Sequence, residues 1–135
     1  MKKNIYQALS LFVIGSGIYA TCRQNVIFLI PLKNTKLLEW IKIDIHYHSG
    51  NIFTYFFLFC LPDALWYLAL LLIQIQFHSQ STIGKFLFYF SVVLPFILEF
   101  MQYFGVLLGT FDIVDVSFYL LTLLIFMIWK KEILF

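Results

Sequence analysis

Charge is the property that this sequence has least of. Only 12% of its 135 residues are Asp, Glu, Lys or Arg, whereas soluble domains carry about 25%. The charges sum to +2 and are scattered along the chain, so no basic surface for nucleic acid is expected. The sequence also has no internal repeat, low-complexity stretch or linker. A single domain comprising residues 1–135 is therefore predicted.

The motifs of familiar catalytic sites are absent as well. The sequence contains no Gly-x-Ser-x-Gly, no His-Glu-x-x-His and no phosphate-binding loop. No cofactor is therefore expected, and a non-enzymatic role is favoured over catalysis. Carboxylate chemistry, in which acids move a proton or hold a cation, stays open as an alternative.

Apolar and aromatic residues are what the sequence has in excess. They make up 62% and 21% of the chain, with seventeen Phe and eight Tyr. A soluble core of this size cannot hide so many rings, which predicts that the lipid bilayer surrounds the protein. Four apolar segments are long enough to cross it: 4–21, 58–77, 85–104 and 111–129.

Short turns connect the last three of these segments. Neighbouring helices joined by short turns run in opposite directions. The predicted fold is therefore an all-α membrane protein, an antiparallel bundle of four transmembrane helices. An interfacial outer loop is predicted between helices 1 and 2.

That loop, the surface segment 22–50, follows a different pattern from the spans. Residues 41–48 alternate apolar and polar side chains, and a period of two fits an extended or interfacial segment. Asp44, His46 and His48 share one face and are weak candidates for a metal site, because two histidines at i and i+2 can chelate. No fourth ligand stands at a suitable spacing, so a wet segment without metal is favoured.

Lysines and arginines near the span ends predict the orientation. With both termini in the cytoplasm, the inner side carries five lysines: 2, 3, 85, 130 and 131. The outer side then carries Arg23 and three lysines, a small excess inside that favours this orientation. The predicted location is the bacterial cytoplasmic (inner) membrane. Cys22 and Cys60 fall near the outer face, where a disulfide and two free buried thiols are the alternatives.

Four acids converge on the outer side in this topology. Asp63 opens the second span, Asp112 and Asp115 open the fourth, and Glu99 lies near the outer end of the third. Acids in the first turn of a helix interact favourably with the helix dipole and accept hydrogen bonds from its free amides. The three aspartates therefore have a structural explanation. Glu99 lacks that explanation, because it lies near the opposite end of its helix.

Helical spacing predicts that these acids face one another. Glu99 and Gln102 share one face of the third span, and Asp112, Asp115 and Tyr119 share one face of the fourth. Polar stripes in a bundle must hide from lipid by facing its interior. The predicted ligand-binding polar cluster consists of Asp63, Trp66, Glu99, Gln102, Asp112, Asp115 and Tyr119. The first span contributes Gly15 and Gly17, which allow close approach.

One part of the chain resembles a known family. The stretch from Glu99 through Gln102 and a glycine-containing turn to Asp112, with the preceding "LPDALW" at 61–66, is similar to the VanZ-like family of small bacterial membrane proteins. The resemblance covers about residues 60–125. It departs at Thr110-Phe111, where the family has an arginine, and at Tyr119 and Thr122, which replace an Asn-then-Gly pattern. The resemblance implies a small multi-pass cell-envelope protein and no specific reaction.

Three functions follow as hypotheses. The leading one is a protein whose outer acidic pocket binds an envelope lipid, a cell-wall precursor or a glycopeptide-like ligand. The second is a non-catalytic interaction subunit, associated with a larger membrane complex or with itself as a homo-oligomer. The third and weakest is a proton-coupled carrier that uses Glu99, since four helices without an internal repeat are few for a transporter.

Overall fold

The computed structural model describes residues 2–22, 52–78 and 81–130. These residues form four helices and contain no strand. Helix α1 is Lys2–Cys22, and α2 consists of Ile52–Tyr55, a π-helical turn Phe56–Cys60 and the α-helix Leu61–His78. Helices α3 and α4 are Thr82–Tyr103 and Ile113–Trp129. Nearly all of the predicted surface segment, with Asp44, His46 and His48, lies outside the described residues.

Three of the four helices are long and apolar enough to cross a membrane. They are Asn4–Cys22, Phe53–His78 and Thr82–Tyr103. Helix α4 is equally apolar in character but has 17 residues, which corresponds to about 25 Å at 1.5 Å per residue. The chain therefore has the helical, lipid-compatible character that its composition predicts.

A proline explains the widened turn in α2. Pro62 has no amide proton, so the carbonyl of Leu58 loses its usual i→i−4 donor. The helix widens over the residues just before it, and the Leu61 amide donates to the Phe56 carbonyl, five residues back. Turns of this π type often occur at functional sites. Here the widened turn lies between Tyr55 and Asp63, two residues of the site described below.

Helix α1 packs closely against α2 through a glycine and a tryptophan. A Cβ placed on Gly15 would lie 2.7 Å from Trp66 Cδ1, so only glycine leaves room for the indole ring. Trp66 stacks on Phe12 with ring centroids 5.5 Å apart, and its Nε1 donates to the Phe12 carbonyl at 3.3 Å. Gly17, by contrast, has no neighbour within 4 Å of a built Cβ. The predicted close approach is thus made by Gly15.

Helix α2 contacts each of the other three helices and contributes most of the core. Its Tyr67 is buried, and its hydroxyl donates to the Val92 carbonyl of α3 at 2.9 Å. Val92 follows Ser91, whose carbonyl loses its usual helical donor because Pro95 has no amide proton. The other buried residues that cluster with Tyr67 are Ala8, Ala69, Leu71, Leu72, Ile75, Phe88 and Phe126.

The two turns beside α3 differ in character. At its start, Ser81 caps the helix by accepting the Gly84 amide at 2.9 Å. Gly84 lies so close to α2 that a built Cβ would be 1.9 Å from the Phe77 carbonyl oxygen. At the other end, α3 closes with Gly105 at φ 67°, and residues 104–112 lead into α4.

Candidate acidic site at one end of the helices

A tyrosine of α1 holds the first of the predicted acids. The hydroxyl of Tyr19 donates to Asp63 Oδ1 at 2.5 Å. Tyr19 is 3% exposed, so this bond ties the end of α1 to the beginning of the Leu61–His78 helix away from solvent. Hydrogen bonds to a charged acceptor are among the stronger ones in proteins. Asp63 therefore joins two helices as well as opening one.

Asp112 joins three elements. It is the N-cap of α4, where its Oδ1 accepts the Val114 amide at 2.8 Å, as the capping interpretation predicts. Its Oδ2 accepts a hydrogen bond from the hydroxyl of Tyr55 in α2. Its own backbone amide donates to Glu99 Oε2 of α3 at 3.4 Å. One residue thus connects the start of α4 to both neighbouring helices.

Glu99 is the most deeply buried acid of the group. It is 5% exposed and lies on the inward face of α3 with Ser91 and Pro95. The carboxylates of Asp63, Asp112 and Asp115 are near enough to act on it electrostatically. The one hydrogen bond described for it comes from the Asp112 amide. A carboxyl group this buried, with like charges around it, is expensive to keep ionised without a cation or further donors.

Asp115 and Tyr119 complete the α4 side of the cluster. The thiol of Cys60, fully buried in the widened turn of α2, lies within electrostatic range of Asp115. Tyr119 lies within electrostatic range of Asp63, Asp115 and Glu99. Its ring packs edge-on against Tyr67 at 5.6 Å and against Phe96 at 6.1 Å. The acids of α2, α3 and α4 are therefore brought together, and we call them with their tyrosines the acid–tyrosine cluster: Tyr19, Tyr55, Asp63, Glu99, Asp112, Asp115 and Tyr119.

Two predicted members have different roles. Trp66 serves the contact between α1 and α2, and it meets the cluster at Tyr19, whose ring centroid is 5.2 Å away. Gln102 lies one turn beyond Glu99 and packs against the α3–α4 connection, where a Cβ on Gly109 would be 2.8 Å from Gln102 Cδ. Gln102 therefore supports the fold of the connection.

Tyr19, Tyr55 and Cys60 belong to the site but were not among the sequence-predicted residues. Tyr19 and Tyr55 could have been predicted from their positions along their helices. Tyr19 lies one turn from the end of α1, and Tyr55 lies near the start of α2, the level at which the acids converge. Cys60 gives no such signal, because cysteine is commonly a small buried hydrophobe. Both cysteines are free thiols in the structure.

An apolar groove begins beside the cluster. It has a volume of about 200 Å³ and lies between α2 and α4. Leu61 and Phe118 form the end of the groove next to the cluster. Leu61 directly follows Cys60 in the chain, and Phe118 lies one helical turn after Asp115. Leu121 and Ile125 line it while remaining 53% and 51% exposed, so the groove opens to the surroundings. The other lining residues are Ala64, Leu65, Leu68 and Thr122.

No metal site emerges from the part of the chain that the structure describes, where no three His, Cys, Asp or Glu side chains are grouped to hold an ion. No protein-family model matches the chain, and neither the curated proteins nor the solved structures contain a similar one.

Proposed function

We propose that this chain is a four-span integral protein of the bacterial inner membrane that binds a lipid-like molecule from the cell envelope. In this proposal the apolar chain of the ligand lies in the groove between α2 and α4, and its polar head lies at the acid–tyrosine cluster. The observation that carries the proposal is the adjacency of these two surfaces, one apolar and open, the other polar and largely buried.

The antiparallel bundle is supported by contacts at both ends of the helices. Tyr19 near the end of α1 meets Asp63 near the start of its helix in α2. At the opposite end, Lys130 Nζ donates to Asn4 Oδ1 at 3.0 Å, joining the end of α4 to the start of α1. Helix α4 falls at the short limit for a span, about 17 residues. Both termini then share the lysine-rich side, which we propose to be cytoplasmic, with segment 22–50 as the interfacial outer loop.

The chemistry of the cluster limits the head groups that would bind. Carboxylates accept hydrogen bonds from amines and hydroxyls and favour cations, whereas they repel an unshielded phosphate. Envelope lipids and cell-wall precursors with amino or sugar heads satisfy these requirements, as does a glycopeptide-like ligand. The resemblance of residues 99–115 to the VanZ-like family supports the same envelope setting.

Two neighbouring leucines of α4 give a matched test. Leu121 lines the groove and Leu120 does not, yet they are 53% and 50% exposed. Leu121→Trp would fill the groove, whereas Leu120→Trp places the same ring toward lipid. We expect the wild-type protein and Leu120→Trp, purified from membranes in mild detergent, to retain a bound envelope lipid detectable by native mass spectrometry, and Leu121→Trp to lose it.

Two outcomes would count against this function. Equal lipid retention by both tryptophan variants would show that the groove does not hold the ligand. Wild-type protein that carries no specific lipid but purifies in fixed stoichiometry with another membrane protein, or with itself, would support the interaction-subunit or homo-oligomer alternative instead. In that case Leu121→Trp should disrupt the complex.

A further inference from the structure

The connection between α3 and α4 is apolar where a water-facing turn would be polar. Its residues 104–111, "FGVLLGTF", which we call the apolar tip, contain no charged side chain. Phe104, Val106 and Leu108 are 71%, 65% and 83% exposed. Connections on the surface of a protein normally carry Ser, Asn, Asp and other polar residues. Something other than bulk water must cover these side chains.

The backbone of the tip is partly satisfied from within. The Gly105 amide donates to the Gln102 carbonyl at 3.0 Å, and the Val106 amide donates to the Met101 carbonyl at 2.8 Å. With Gly105 at φ 67°, this pair of bonds forms a Schellman motif, which uses carbonyls that a helix end otherwise leaves free. A helix end closed in this way tolerates an apolar environment better than an open one.

The tip continues the apolar surface of the helices that it joins. Phe100 and Tyr103 of α3 are 62% and 65% exposed, and Ile113 at the start of α4 is 64% exposed. Tyr103 packs edge-on against both Phe104 and Phe111, with ring centroids 5.3 Å apart in each pair. Tyrosine and phenylalanine grouped at a span end are typical of the headgroup level of a bilayer.

We propose that the apolar tip inserts into the headgroup–acyl boundary of the bilayer, on the membrane face where the acid–tyrosine cluster lies. Lipid is its partner, because the exposed surface is continuous with helix faces that lipid covers. The boundary is the depth that fits, since residues 104–111 are irregular backbone, which hydrocarbon excludes and hydrated headgroups accept. The proposal depends on membrane insertion of α3 and does not depend on a ligand in the groove.

One consequence concerns the acids. With the tip at the boundary, Glu99 lies more than a helical turn farther from water than the turn itself, on the same helix. A ligand would then reach the cluster from the bilayer side, next to the groove, more readily than from the aqueous side.

Spin labels at the two turns test the proposal. Leu108→Cys and Ser81→Cys would be made in the full-length chain with Cys22→Ser and Cys60→Ala, then labelled and reconstituted in phosphatidylcholine–phosphatidylglycerol vesicles. We expect the label at 108 to collide more with oxygen than with a water-soluble nickel chelate, and the label at 81, an exposed polar turn residue, to show the reverse. Equal nickel accessibility at 108 and 81 would overturn the proposal.

A second measurement needs no substitution. Wild-type protein in the same vesicles would be irradiated with a phospholipid that carries a diazirine near its headgroup, and the adducts mapped by mass spectrometry. Adducts on residues 104–111 support insertion. Their absence, with adducts present on Phe86 and Phe90, which are 67% and 47% exposed on α3, would refute it. If residues 104–111 are labelled in vesicles without other proteins but not in native membranes, the partner that covers the tip is a protein and not lipid.

Discussion

The turns at the two ends of α3 arrange polarity in opposite ways. Before α3, the described turn residue Ser81 is exposed and caps the helix, and the first turn of α3 makes a close backbone contact at Gly84. The turn after α3 presents apolar residues outward and places acids inside, with Glu99 5% exposed. This inversion indicates that the two turns meet different surroundings, and that the second turn is built around the candidate site.

The largest effect is expected at Gly84 in the first turn of α3, where there is no room for a side chain. Gly84→Ala would put a Cβ 1.9 Å from the Phe77 carbonyl oxygen, so the backbones of α2 and α3 must separate. We expect a loss of unfolding free energy of about 4 kcal/mol, more than overpacking usually costs, because the Cβ would clash with backbone that cannot move aside alone. The measurement is the midpoint of unfolding by SDS in mixed micelles.

Gly17→Ala is the control for this substitution. A Cβ on Gly17 meets nothing within 4 Å, and alanine stabilises a helix by about 1 kcal/mol relative to glycine. An unchanged midpoint for Gly84→Ala would show that α2 and α3 are farther apart than described.

The second prediction compares the caps of the two turns. Ser81→Ala removes a cap alone and should cost about 1 kcal/mol. Asp112→Ala removes a cap and the acceptor of the Tyr55 hydroxyl, so the loss should be about 3 kcal/mol. Asp112→Asn keeps one acceptor oxygen, which is enough for the Val114 amide, but places an N–H donor where the Tyr55 hydroxyl needs an acceptor, so it should recover only the cap, about 1 kcal/mol of the loss. Equal losses for Ser81→Ala and Asp112→Ala would remove the distinction between a simple cap and a connecting residue.

The third prediction separates the charge of Glu99 from its shape. Glu99→Leu leaves the Asp112 amide without its acceptor and should cost about 2 kcal/mol. Glu99→Gln keeps an acceptor oxygen, so its unfolding midpoint should stay near that of the wild type. If the proposed ligand carries a cationic head, Glu99→Gln should still lose that ligand in native mass spectrometry. A fully stable Glu99→Leu variant that retains the lipid would show that Glu99 is dispensable to the fold and the site alike.

The smallest effect is expected at Gly105 in the apolar tip. Its φ of 67° is unfavourable for residues with a Cβ, so Gly105→Ala should cost about 1 kcal/mol. No atom lies within 4 Å of a Cβ built there, which makes backbone conformation the whole cause. Gly105→Asn should cost less, because asparagine adopts this conformation more readily. If asparagine and alanine destabilise equally, the Schellman closure of α3 is not maintained in the membrane.

Much of the helical architecture could be predicted from composition and spacing, because the bilayer stabilises a long apolar helix whichever helices it packs against. Prediction placed the third span at 85–104, and α3 is Thr82–Tyr103. Glu99 was predicted to face the bundle interior, and it is buried on one face of α3 together with Ser91 and Pro95. The second span was placed at 58–77, whereas α2 begins at Ile52, since the apolar run before Pro62 continues as a widened helical turn.

The acids of the site could be predicted from the sequence, but the hydrogen bonds that the tyrosines make to them could not. Acids in apolar helices are conspicuous in a sequence because each one is costly there. Tyr19 and Tyr55 are two of eight tyrosines in an aromatic chain, and nothing in their local sequence separates a hydrogen-bonded tyrosine from one that faces lipid. That separation depends on the rotation of each helix about its axis, which packing sets.

By itself, the sequence determined that the chain forms apolar helices long enough for a membrane and that its acids gather at one level, because hydrophobicity and helix length act locally. Only the tertiary structure decided which groups the acids meet: Tyr19 at Asp63, Tyr55 at Asp112, and the Asp112 amide at Glu99. The tertiary structure also decided that a groove opens beside them. The physical reason is that hydrogen bonds and grooves between helices depend on ångström-scale distances and helix rotation, which side-chain packing across all four helices fixes together.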